Sequence, residues 1–176
     1  MILETDAYGE IEYEAGDLIT FPDGVFGFPD LKNYLLLSLS EGDDTILLML
    51  SAEQPDIVFA IINPLIFCKD YAPSLGAAEL SLLDAGDDGE LSYYSICTIR
   101  SKDDYLQNTV NLKCPLVINP VSRKGMQVIL SDPSYHYRHK FSSFHSIAET
   151  ARESRAEQKE TQAEEMQDAD NKTQKK

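Results

Sequence analysis

The chain has 176 residues, 43% of them apolar, with 30 acidic side chains against 15 basic ones and a formal net charge of −15. That length suits one domain with an appendage, and that charge is hostile to phosphate backbones and anionic lipid, which argues against direct nucleic-acid or membrane binding. The three cysteines are odd in number and far apart, and no C-x-x-C occurs, which argues against a disulfide scaffold and a zinc knuckle.

The start, MILETDAYGE, has neither a basic region nor a long apolar stretch, so no secretory signal is visible. The longest mostly apolar run, residues 57–67, is too short to span a bilayer and is interrupted by Asn63 and Pro64. The expected address is the cytoplasm. Acidity is concentrated early. Residues 1–104 hold 21 Asp and Glu against 4 Lys and Arg, a net of −17, whereas residues 105–144 hold 1 against 5, a net of +4.

Taken in chain order, EIEYEAG alternates, with Ile11 and Tyr13 on one face and Glu10, Glu12 and Glu14 on the other, which predicts a half-buried strand. FPDGVFGFPDL follows, and its Gly24 and Gly27 predict a sharp turn anchored by Phe21, Phe26 and Phe28. PDLKNY predicts a single helical turn capped by Asp30. YLLLSL, TILLML, DIVFAII, SYYSICTI, PLVINP and MQVIL are short apolar or β-branched runs. They are separated by turn signals at 41–44, 63–64, 85–90, 123–125 and 131–134. One helix is expected within PSLGAAELSLLDAG, capped by Ser74 and ended by Gly86. Many short strands with tight turns predict an all-β, mainly antiparallel, barrel-like fold with one or two short helices. The expected domain is 1–144. The remainder, 145–176, is rich in Glu, Gln, Lys and Ala with no apolar stripe, and reads as a polar helical or disordered tail.

No constellation for catalysis emerges. Cys114 precedes Pro115, which favours extended backbone, and its only nearby cation is Lys113. It reads as a buried strand cysteine, as do Cys68 and Cys97. His136 and His139, three apart, lack a third metal ligand beside them and read as a surface or edge pair. His145 stands alone. Asp43–Asp44, Asp87–Asp88 and Asp103–Asp104 read as solvated turns. No nucleotide, nucleophile-elbow or calcium-loop motif is present, so no catalytic residue, metal or cofactor is expected.

Four motifs in order, ITFPDGVFGFPDL (19–31), PDIVFAIINPLIFCKDY (55–71), NTVNLKCPLVINP (108–120) and GMQVIL (125–130), resemble the FliW family of flagellar assembly factors. The matched positions are Phe21, Gly24, Gly27, Phe28, Phe59, Asn63, Pro64, Asp70, Tyr71, Asn111, Leu112, Pro115 and Gln127. The family often has alanine where this chain has Cys114, which suits a packing slot. The resemblance implies a non-enzymatic β protein that binds flagellin and, alternately, the translational regulator CsrA, relieving CsrA repression of flagellin messenger RNA. Such a role belongs to flagellum biogenesis, translation regulation and chaperoning. The acidic first part is a plausible counterpart for a basic RNA-binding protein. The acidic turns Asp43, Asp44, Asp87, Asp88, Asp103 and Asp104 are the first partner-binding candidates, with Arg123 and Lys124 as a cationic alternative. A small β-barrel hydrolase using Cys114 or the late histidines, and a general acidic holdase, are the competing readings.

Overall fold

The apolar runs become strands wherever their neighbours can complete a hydrogen-bond ladder. The computed structural model describes residues 1–40, 43–100 and 107–141, with the side chains of residues 39, 40, 43 and 44 outside that description. The strands are β1 (Ile2–Thr5), β2 (Gly9–Glu12), β3 (Ile19–Thr20), β4 (Asn33–Ser40), β5 (Asp43–Ser51), β6 (Val58–Ile62), β7 (Ser92–Thr98), β8 (Thr109–Val110), β9 (Leu116–Asn119), β10 (Lys124–Gln127) and β11 (His139–Lys140).

Seven of these strands close a barrel in the order β7, β6, β5, β4, β3, β10 and β9, with β9 returning to β7 through Ser92–Ile118, Tyr93–Val117 and Tyr94–Leu116. All its pairings are antiparallel except β3 with β10, which meet at the single parallel pair Thr20–Lys124. β8 and β11 extend the sheet from the far end of β7, while β1 and β2 form a separate two-stranded ribbon. The fold is therefore all-β and mainly antiparallel, as expected.

A barrel this narrow is filled by side chains and leaves no lumen. Ile19, Phe21, Val25, Leu31, Tyr34, Met49, Ile61, Leu116 and Ile118 form the buried centre. Phe21 meets Tyr34 edge-on at 5.4 Å, and Phe28 meets Phe59 the same way at 5.4 Å, the geometry preferred by ring quadrupoles. The Tyr34 hydroxyl donates to the Leu31 carbonyl at 3.2 Å, and burial followed by the nearby Glu53 charge pushes its phenol up to about 12.

Several local expectations change in the folded chain. The helix α1 runs only over Ala77–Leu82, and Gly76 rather than Ser74 begins it, because Glu79 reaches back to the Gly76 N–H at 2.6 Å. It ends through Asp84, which adopts a positive φ of 53°, while Gly86 instead donates its N–H to Glu90. PDLKNY forms no helical turn. Glu53 draws the Lys32 and Asn33 N–H groups to its carboxylate and holds the chain extended into β4. The MQVIL strand starts earlier and stops at Gln127, opposite the run that begins at Pro115.

Cys114 is buried as expected, but in a bend just before β9 rather than in a strand, and Cys68 is only half-buried, in a turn. Phe26 does not anchor its loop and is 53% exposed. Residues 145–176, with His145, and the Asp103–Asp104 turn lie outside the described residues.

Candidate functional site

The four sequence motifs converge at one region of the barrel through side chains bonded to backbone. Gln127 is the hub. Its amide donates to the Cys114 carbonyl at 3.1 Å, and its carbonyl accepts from the Phe26 N–H at 2.9 Å, tying the third and first motifs to the fourth. The Tyr71 hydroxyl donates to the Leu112 carbonyl at 3.0 Å, tying the second motif to the third. Burial raises the Tyr71 phenol well above its ordinary value, with the Tyr135 ring, 4.8 Å away, adding to the effect.

Within the third motif, the Asn111 side chain accepts from the Lys113 and Cys114 N–H groups at 3.1 and 2.9 Å and shapes the bend ahead of Pro115. Asn63 accepts from the Leu65 N–H at 3.0 Å and starts a short 3-10 turn at Pro64. Gly24 and Gly27 adopt φ of +71° and +90°. A Cβ on Gly24 would also collide with the Phe28 carbonyl oxygen, so both backbone angle and space require glycine there. Each of these residues serves the scaffold that holds the loops.

Two further residues with scaffold roles lie inside the third and fourth motifs but outside the matched positions. Buried Asn119 donates to the Leu83 carbonyl at 2.9 Å and accepts from the Val121 N–H at 2.9 Å, joining α1 to the β9–β10 turn. Gly125 lies against the Phe21 ring, 2.5 Å from where a Cβ would stand. Neither long-range contact is readable from spacing, because Leu83 and Phe21 lie far away in the chain.

The chemistry of the described residues favours binding. Burial pushes the Cys97 thiol up to about 12 and also raises Cys114, against a weaker opposing pull from Lys113. A protonated, buried thiol is a poor nucleophile. His136 and His139 stack at 5.2 Å, and the His136 N–H donates to His139 Nε2 at 2.8 Å. Burial, followed by His136, lowers the His139 pKa. No group of three metal-ligating side chains occurs among the described residues.

The candidate docking residues are scattered. Asp87 accepts from the Gly89 N–H of its own turn at 2.7 Å. Half-buried Asp88 turns inward, and its charge adds to the burial that pushes the Tyr93 phenol up to about 12. Asp43 and Asp44 open β5, with side chains beyond the description. Arg123 has φ of 58° and donates to the Asp17 carbonyl at 2.6 Å, while Lys124 pairs with Asp84 at 2.6 Å, so both cations are engaged within the fold. The ribbon offers an acidic face in addition to the half-buried side expected of EIEYEAG. Glu4 stands opposite Glu10 and Ile2 opposite Glu12, all four exposed.

A family model described as FliW protein matches residues 2–141. The chain belongs to the FliW family. The flagellar assembly factor FliW of Syntrophomonas wolfei is 37% identical over 131 residues, covering 74% of this chain and 82% of that protein. That of Bacillus velezensis is 35% identical over 139 residues, covering 79% and 95%. A crystal structure of the flagellar assembly factor FliW aligns with a TM-score of 0.72 at 30% identity, covering 80% of this chain and 96% of that one. The seven-strand barrel and its converging loops are thus those of a FliW domain.

Proposed function

We propose that this chain is a non-enzymatic flagellar assembly factor that holds flagellin and, alternately, CsrA, so that the protein free of flagellin relieves CsrA repression of flagellin translation. The observation that carries this reading is the membership itself, joined to the use the fold makes of the family motifs. Tyr71, Asn111 and Gln127 bond to loop backbone, and Gly24 and Gly27 permit the turn of theirs. None of them is arranged around a reacting centre. Their arrangement holds surface loops in fixed relation, which is what a protein-binding scaffold requires.

The acidity of residues 1–104 supports CsrA as one partner. A basic RNA-binding protein would be drawn toward residues 1–104, and RNA would be repelled from the complex without any overlap of sites. Asp43, Asp44, Asp87, Asp103 and Asp104 remain in that proposal, while inward-facing Asp88 is its weakest member. The exposed ribbon glutamates Glu4, Glu10 and Glu12 join it. Both partners would be met in the cytoplasm. No helix among the described residues is long and apolar enough to cross a membrane.

The test is a binding assay with purified CsrA and purified flagellin at micromolar concentration. Each is expected to bind, and flagellin to displace CsrA. Failure to bind either sinks the reading, and equal protection of unrelated aggregating proteins would replace it with a general holdase.

A further inference from the structure

The barrel has a weak seam between β3 and β10, which share one pair before the chain turns off at Phe21 into the glycine loop. Beyond Gln127 the chain runs on beside residues 113–115. The Val128 N–H donates to the Pro115 carbonyl at 3.1 Å and the Leu130 N–H to the Lys113 carbonyl at 2.9 Å. Successive peptide groups of an extended chain alternate sides. The Ile129 N–H and carbonyl therefore face the other way, and neither has a partner among the described residues. Val128 and Leu130 are buried, whereas the Ile129 side chain is 60% exposed.

This open edge borders a cleft of about 360 Å³ that Pro73 and Leu75 also line. Two carboxylates, Glu79 and Asp132, line it without a cationic side chain among the lining residues, while the Lys113 ammonium, outside the lining, donates to the Asp132 backbone carbonyl at 2.9 Å. Their charges are fixed in place. Glu79 accepts from the Gly76 N–H, and Asp132 from the Ser134 N–H and hydroxyl.

We infer that this cleft binds an extended peptide strand of alternating apolar and basic residues, paired through its main chain to Ile129. A helix satisfies its own backbone and would leave the Ile129 N–H and carbonyl unpaired, whereas an added strand completes them. Apolar side chains of the strand lie against Ile129, Pro73 and Leu75, and its basic side chains meet Glu79 and Asp132. Resting on the function proposed above, the natural occupant is a segment of flagellin whose backbone is unpaired before the filament forms.

The probe is an end-blocked heptapeptide of alternating valine and lysine, fluorescently labelled, alongside a copy N-methylated at alternate amides, which keeps the charge and loses the ladder donors. The unmodified peptide should bind the full chain at least tenfold more tightly than the methylated one. Ile129→Pro removes the N–H that would donate to the strand and replaces the apolar side chain, so it should weaken the unmodified peptide at least several-fold, and unchanged binding overturns the inference. Equal binding of the two peptides would mean simple charge attraction and overturn the inference. If Ile129→Pro melts early, exchange of the Ile129 amide in the unaltered chain decides instead, with protection expected on peptide binding and none overturning it. Flagellin should then displace the peptide. Flagellin that binds without displacing it overturns the assignment of the occupant. Flagellin that does not bind at all counts against the proposed function, while the peptide comparison still judges the edge.

Discussion

Gly125 shows how much one missing side chain can matter. The Phe21 ring occupies the space its Cβ would need, at the centre of the barrel. Gly125→Ala must push that ring into packed neighbours, and overpacking of this kind costs about 1–3 kcal/mol. A urea titration should show a lower midpoint with an unchanged slope. Cys114 is the opposite case. Cys114→Ala removes one sulfur atom from a buried bend and should cost about 1 kcal/mol or less, with CsrA and flagellin binding unchanged. In native protein, a thiol reagent at neutral pH should modify half-buried Cys68 well before Cys97 and Cys114, since burial raises both of the latter thiols. Prompt reaction of Cys114 would contradict the packing role.

At the scale of elements, Glu53 ties the start of β4 to the end of β5. Its carboxylate accepts from the Asn33 backbone and side chain, the Lys32 backbone and the Ser51 hydroxyl. Burial pushes its pKa up, but the Asn33 and Lys32 hydrogen bonds outweigh burial and hold it below the ordinary 4.5. A carboxylate with a depressed native pKa contributes stability that is present above the unfolded value and is lost as pH falls through the native one. Glu53→Gln should therefore flatten the fall in urea midpoint between neutral pH and the region below 4.5. Asn119 performs a similar service between α1 and β9. Asn119→Ala strands the buried end of that contact and should cost about 2 kcal/mol, with the loss visible as faster amide exchange around residues 83–85 and 121–122.

At the scale of the whole molecule, the charge distribution dominates. Residues 1–104 carry a net −17, and the ribbon holds Glu4 against Glu10 despite the cross-strand repulsion. Encounter with a basic partner should therefore be steered. Raising salt from about 50 to 300 mM shortens the screening length and should slow CsrA association several-fold while changing dissociation little. Glu4→Gln with Glu10→Gln should reduce that salt dependence. A chain ending at residue 144 should keep both the cooperative melt and CsrA binding. Loss of binding on that truncation would bring residues 145–176 into the interface.

The sequence alone determined the class of fold. Period-two alternation and turn residues act over a few neighbours, so EIEYEAG, TILLML and PLVINP announce strands without any knowledge of their partners. It also marked Gly24 and Gly27, because positive φ is a local property. Tertiary structure alone decided what those strands do together: closure of β9 onto β7, the Phe21 ring over Gly125, and Gln127 joining Phe26 to Cys114. It also decided that Arg123 and Lys124 are engaged and that Ile129 stands open at a cleft. Those outcomes depend on which groups meet across separations that run from 13 to 106 residues of chain, and no spacing within a motif encodes such a meeting.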